Sequence, residues 1–260
     1  MKGYKGFDKD LKCRGMQYEV GKTYEEDEAK LCEKGLHFCE APLDVFGYYA
    51  PVDSRYCEVK ADGVTDDKDN DSKRVAKKLT IGAEIGIPGL IKAHIDWVNE
   101  HIDEEKKQSN TGNCSAASNT GNYSAASNTG YYSAASNTGD CSAASNTGYY
   151  SAASNTGDYS AASNTGYYSA ASNTGDYSAA SNTGDCSAAS VSGKGSVALN
   201  IGYMGKAKGA LGCYIVLAEW KDDEISAVKS HKVDGKKIKP DTWYRLIDGK
   251  FTEVTDDDEE

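Results

Sequence analysis

From Ser109 to Ala189 the chain repeats one nonamer nine times without a gap: SNTGNCSAA, SNTGNYSAA, SNTGYYSAA, SNTGDCSAA, SNTGYYSAA, SNTGDYSAA, SNTGYYSAA, SNTGDYSAA, SNTGDCSAA. A looser continuation follows as SVSGKGSVA, LNIGYMGKA and, after an apparent insertion at Lys208, GALGCYIVL, with Gly193, Gly202 and Gly212 in the place of the repeat glycine. Self-similarity at a fixed short period points to a stacked, quasi-one-dimensional architecture. Nine residues extend only ~30 Å, and two crossings between sheets packed ~10 Å apart leave too few residues for two strands. Two nonamers per coil fit. The variable fifth position agrees: Tyr131, Tyr149 and Tyr167 are eighteen apart, and so are Asp140, Asp158 and Asp176 in the intervening repeats. Strict alternation of Tyr with Asp places successive nonamers on opposite flanks of a flattened coil. The expected fold is mainly β: a parallel β-solenoid of 18-residue coils over residues 109–217.

Within each nonamer, Asn-Thr-Gly reads as the corner, with glycine supplying positive φ and asparagine local side-chain bonds. Ser-Ala-Ala reads as a short strand around a thin interior. Small side chains bury little area, so stability must come from stacked backbone bonds and side-chain ladders. Position six gives Cys114, Tyr132, Tyr150, Tyr168 and Cys186 on one side, and Tyr123, Cys141, Tyr159 and Tyr177 on the other. Rings ~4.8 Å apart can stack with an offset. The aspartate row costs stability unless solvated or met by cations; it reads either as a soluble face that blocks lateral association or as a surface for a basic partner. Calcium β-rolls also use nonamers, but position six is Tyr or Cys where their ligand Asp should stand. Ice binding, which needs a flat regular threonine array, is a weaker fit, because each repeat Thr sits in a corner beside Gly.

The flanks read as separate elements. Residues 1–62 form a small α+β domain with strands over 17–20 and 55–60 and a short helix over 42–49. Residues 63–108 carry an acidic linker, a strand near 74–85 and a helix opened by Pro88, with Ile91, Ile95, Val98 and Ile102 in a stripe expected to cap the solenoid. His94 and His101 read as helix-surface residues. Residues 218–254 form an antiparallel β cap, following the apolar strand 214–220, with strands near 225–233, 236–238, 242–247 and 250–254 and Asp234-Gly235 and Asp248-Gly249 as hairpin turns; 255–260 is an acidic tail.

The formal net charge is −11, concentrated in Asp62–Asp71 and Asp256–Glu260. That balance opposes direct nucleic-acid binding and suits a partner with a basic groove. No apolar run approaches the ~18 residues of a membrane helix, and Met1-Lys2-Gly3-Tyr4-Lys5 lacks the apolar core of a signal peptide; a cytoplasmic location is expected. The eight cysteines show no paired framework, so free thiols are expected. Cys13, Cys32, His37 and Cys39 lack a C-x₂-C pair, and no metal or cofactor is expected.

Two resemblances are specific enough to name. The run TGDYSAASNTG with GSVALNIGYMGKAKGALG resembles the β-roll repeats in the heads of trimeric autotransporter adhesins, whose export signal, stalk and anchor are not found here. The runs MKGYKGFDKDLKCRG and GLHFCEAPLDVFGYY resemble the N-terminal domain of an uncharacterised phage and prophage protein family of Firmicutes, in which such repeats follow the domain. This resemblance implies a phage accessory protein and brings no activity.

Three functions from different classes fit. The first is a non-catalytic phage-type interaction protein, an acidic rod that binds a host protein and blocks a nucleic-acid-binding defence factor as a decoy. Its candidate contact residues are Asp140, Asp158, Asp176, Tyr131, Tyr149 and Tyr167. The second is a degenerate enzyme: Gly35-Leu36-His37-Phe38 before a helix resembles ADP-ribosyltransferases, without their Ser-Thr-Ser and Glu-x-Glu elements. The third is a structural or virion component that self-associates into a homo-oligomer through its tyrosine ladders.

Overall fold

The computed structural model describes residues 1–65, 71–102, 105 and 107–255. The expected acidic linker therefore falls partly, and the acidic tail almost wholly, outside the described residues. The chain divides into two compact units, Met1–Trp97 and Val98–Glu260.

In the first unit, Lys2–Asp8 pairs antiparallel with Ser54–Val64 and with Leu36–Cys39. Lys73–Ile85 pairs with both of those partners, at Ala76 with Leu36 and Val64, and also with Thr23–Glu25. The four longer strands thus form a ring, which leaves few open edges. Its interior holds Phe7, Leu36, Phe38, Cys57, Val59, Ala61, Ala76, Leu79 and Ile81. The strand expected between domain and solenoid is therefore a central member of the N-terminal sheet, and the sheet extends past residue 62. The expected helix over 42–49 is a 3₁₀ helix, Pro42–Gly47; Pro at its start sets φ but removes a donor. Of the strand expected over 17–20, only Met16–Gln17 pairs, in a hairpin with Lys12–Cys13.

The helix opened at Pro88 runs Ile87–His101. Its expected surface histidines differ: His101 is exposed, but His94 is buried and stacks on Trp97 with ring centroids 6.0 Å apart.

The second unit is the solenoid. One face stacks Lys107–Asn110, Ala125–Asn128, Ala143–Asn146, Ala161–Asn164, Ala179–Asn182, Val197–Asn200 and Tyr214–Lys221 in parallel. The other stacks Ala116–Asn119, Ala134–Asn137, Ala152–Asn155, Ala170–Asn173, Ala188–Val191 and Lys206–Gly209. The register Ala125↔Ala143 and Ala134↔Ala152 is eighteen residues, so two nonamers make one coil and the solenoid has about six turns. The last coil differs: Val197 pairs with Tyr214, seventeen residues on. Lys208 is not an insertion but a strand residue opposite Ser190, and the corner after it is one residue short.

Three rows point inward: Ser at position seven, Ala at position nine and Asn at position two, as in Ser151, Ala153 and Asn155, each 0–2% exposed. The asparagines build the wall as well as the corner. Asn155 Nδ2 donates to Ala161 O at 2.5 Å, across the turn into the next strand. The serines form a second ladder, with Ser133 N–H donating to Ser151 Oγ at 3.2 Å one coil away. These repeated buried bonds supply the cohesion that alanine burial alone cannot.

The expected role of the repeat glycine is corrected. Positive φ falls on position six, at 51–55° for Cys114, Tyr123, Tyr132, Cys141, Tyr150, Tyr159, Tyr168, Tyr177 and Cys186. A non-glycine residue in that region costs roughly 1–2 kcal/mol; backbone bonds such as Tyr132 N–H to Tyr149 O at 2.9 Å offset it. Glycine is needed for close approach: a Cβ on Gly148 would lie 1.8 Å from Gly130 O in the preceding coil.

Two antiparallel pairs end the stack. Tyr214–Lys221 turns back into Glu224–Lys232, and the hairpin Tyr244–Ile247/Lys250–Glu253 adds to the second face at Ala207↔Tyr244. Asp248-Gly249 is the expected hairpin turn, with φ of 48° and 68°. The turn between the first two strands is instead Asp222-Asp223, at φ 52° and 61°. Asp234-Gly235 closes a local turn in which Asp234 Oδ1 accepts from the N–H groups of Lys236, Lys237 and Ile238. These bonds hold its carboxyl down at about 2, and the strand expected over 236–238 does not form.

Candidate functional site

The five-residue corners between strands create two edges. One carries Tyr131, Tyr149 and Tyr167 at position five and Tyr132, Tyr150 and Tyr168 at position six. The other carries Asp140, Asp158 and Asp176, followed by Lys194. At position five, tyrosine and aspartate keep to separate edges through these coils, while Tyr159 and Tyr177 at position six stack on the aspartate edge with centroids 5.4 Å apart, and Asp185 follows Tyr167 on the tyrosine edge.

On the tyrosine edge the rings form two columns. Centroids lie 5.1 Å apart for Tyr131–Tyr149 and 4.9 Å for Tyr149–Tyr167. The second column, which the sequence reading did not single out as contact surface, is equally regular: 5.1 Å for Tyr132–Tyr150 and 5.2 Å for Tyr150–Tyr168. All six rings are exposed, from 42% at Tyr149 to 63% at Tyr132. Stacking fixes these rings at little further entropic cost, so they offer a preformed aromatic strip.

The aspartates have a structural task. Asp140 Oδ1 accepts from Asp158 N–H at 2.9 Å, Asp158 Oδ1 from Asp176 N–H at 2.7 Å, and Asp176 Oδ1 from Lys194 N–H at 2.7 Å. Asn122 bonds Asp140 N–H in the same way at 3.0 Å, so the geometry needs an acceptor oxygen and not a charge. Among the described residues the second carboxylate oxygen of each accepts no backbone bond of this kind.

A further concave site lies in the first unit. A cleft of 540 Å³ is lined by residues from Tyr4-Lys5-Gly6, the hairpin around Cys13-Arg14, the strand Leu36–Cys39, and Tyr48, Tyr49 and Lys73. Lys5 is only 5% exposed, and its Nζ donates to His37 O at 2.6 Å. Burial pushes this amine below its ordinary pKa. His37 is held down at about 4, first by burial and then by the charges of Lys5 and Arg14; its Nε2 accepts from Cys32 N–H at 3.0 Å, which also favours the neutral ring. Tyr48 donates to Asp71 and receives Lys73 Nζ at 3.2 Å. Tyr49 packs across Gly6, where a Cβ would lie 2.6 Å from the ring. Cys13, Cys32, His37 and Cys39 do share this cleft, but among the described residues no three His, Cys, Asp or Glu side chains are placed to hold a metal ion.

Residues 1–93 match the family model DUF7666, a domain of unknown function. The match takes in the whole cleft, and the runs MKGYKGFDKDLKCRG and GLHFCEAPLDVFGYY that carry the sequence resemblance supply most of its lining. Searches of curated proteins and of solved structures found no match. The cleft was only partly legible in sequence: Cys13, Cys32, His37 and Cys39 stand out as a group, but nothing local marks Lys5 as buried. No helix among the described residues is long and apolar enough to cross a membrane.

Proposed function

We propose that this chain is a non-catalytic interaction protein whose solenoid docks, through its tyrosine edge, on a basic protein surface. The observation that carries the reading is the pair of exposed, stacked tyrosine columns. Contiguous exposed aromatic surface marks binding sites. Arginine is the side chain best matched to it, because a guanidinium stacks on aromatic faces. The net charge of −11 draws such a partner toward the chain as a whole, while residues 109–217 themselves carry four Asp against three Lys. The finer reading is a phage-encoded decoy acting in a bacterial cytoplasm, where the rod competes with nucleic acid for a basic groove. About six coils at ~4.8 Å span ~30 Å, a length near nine base pairs.

The test uses affinity capture with three baits: the native chain, Tyr131/Tyr149/Tyr167→Ser and Asp140/Asp158/Asp176→Asn. The native chain is expected to retain a basic protein that salt and duplex DNA both release. Each exposed cation–π contact contributes ~0.5–1 kcal/mol, so the Tyr→Ser bait should bind it roughly 10- to 100-fold more weakly. The Asp→Asn bait keeps the ladder acceptors and should fold normally. A larger loss with Asp→Asn than with Tyr→Ser would move the contact to the other edge. Capture indifferent to both baits would refute the solenoid as the docking surface.

A further inference from the structure

Lys5 presents an unmet electrostatic demand. It stands on the strand Lys2–Asp8, almost wholly buried, and no carboxylate pairs with it among the hydrogen bonds and ion pairs of the described residues. Its neighbours are the His37 carbonyl, the Cys13 thiol and the rings of Phe7 and Tyr18, at 5.6 and 5.4 Å. An ammonium has three donors; carbonyl and thiol take two, leaving one for the cleft. Burying a charge without a counter-ion costs several kcal/mol, and an apolar residue of similar length would avoid that cost.

The other charges of the cleft sharpen the picture. Lys34 is paired with Glu28 at 3.2 Å, and Glu33 with Lys30 at 2.6 Å. Among the lining residues that leaves Lys5 and Arg14 against Glu26, with Lys73 engaged by Tyr48 beside Asp71. Arg14 is exposed at the tip of the hairpin, with φ of 49°. Lys73 lies over the Tyr48 ring at 4.9 Å. A local cationic excess in a chain of net charge −11 runs against the global balance. Tyr48 and Tyr49 add aromatic surface at the mouth, and 540 Å³ is within the usual range for small-molecule sites.

We propose that this cleft binds a small organic anion with a planar aromatic body, of about the size of a nucleoside monophosphate, with Lys5 and Arg14 holding the anionic group and the tyrosines covering the ring. The site is separate from the solenoid edge, and either assignment can fail without the other.

Isothermal titration of the full chain at low salt with AMP, adenosine, inorganic phosphate and benzoate tests it. AMP or benzoate should bind, with adenosine and phosphate at least tenfold weaker than the better of the two; which of AMP and benzoate wins tells phosphate from carboxylate. A charge-assisted hydrogen bond is worth roughly a 10- to 150-fold change in affinity. Lys5→Met should therefore weaken the better ligand by about that factor, while leaving thermal stability of the free protein unchanged or higher. Arg14→Gln, at an exposed tip, should weaken it about five-fold without touching the fold, and keeps the test alive if Lys5→Met misfolds. No heat from any probe at millimolar concentration would overturn the proposal. So would adenosine binding as well as AMP, phosphate binding as well as AMP and benzoate, or a Lys5→Met variant that binds like the native chain.

Discussion

Gly148→Ala is expected to destabilise the solenoid by on the order of 4 kcal/mol or more, the scale reached when backbone is forced apart. The added methyl would stand 1.8 Å from Gly130 O, 2.5 Å from Gly130 C and 3.0 Å from Ser151 Oγ. Two of those atoms are backbone of the preceding coil, held in register by bonds such as Ala152 N–H to Ser133 O at 2.9 Å. Relief requires the coils to separate, which breaks the ladders on both sides of the corner. Gly112 is the control. It occupies the same place in the first repeat, where a Cβ meets nothing within 4 Å. Gly112→Ala should leave the denaturant midpoint within about 0.5 kcal/mol of the native value. Equal midpoints for the two variants would show that the coils do not approach as described.

The second large effect separates two adjacent alanines. Ala153 is 1% exposed in the row between the sheets, whereas Ala152 faces solvent. Ala153→Leu adds three carbons to an interior lined by Ser, Ala and Asn, with Ala135 and Ala171 directly above and below. Overpacking of this kind costs ~1–3 kcal/mol where a core can adjust, and more where it cannot. Here neighbouring coils present the same small residue and the backbone spacing is fixed by bonds, so at least ~3 kcal/mol is expected. Ala152→Leu should change stability by less than about 0.5 kcal/mol. Thermal unfolding followed by circular dichroism reads both; reversal of the order would mean that the two faces had been exchanged.

Much of this fold was legible because periodicity is a geometric statement. The eighteen-residue recurrence of Tyr131, Tyr149 and Tyr167 requires two nonamers per coil whatever the backbone details, and the pairing Ala134↔Ala152 has that spacing. Local conformation was less legible. The repeat Gly suggested positive φ because glycine is the usual residue there, but the Cβ clash one coil away is a long-range constraint that composition does not display. Tyr at position six takes the left-handed conformation because stacking in register over-determines it. Asp222-Asp223 was missed as a turn for a similar reason, since Asp-Gly is the stronger local signal and occurs nearby. The cleft of the first unit was least legible: Lys5 lies within a charged N-terminal run, and only the strand pairing that closes the ring shows its side chain buried.

The most direct measurement is proximity across one coil, on a chain whose native cysteines have been replaced. Pyrene-labelled cysteines at positions 131 and 149 should give strong excimer fluorescence, since the native rings there are 5.1 Å apart. The pair at 131 and 140, nine residues apart on opposite edges, should give none. Excimer emission from 131/140, or its absence from 131/149, would contradict the two-nonamer coil on which the aromatic strip depends.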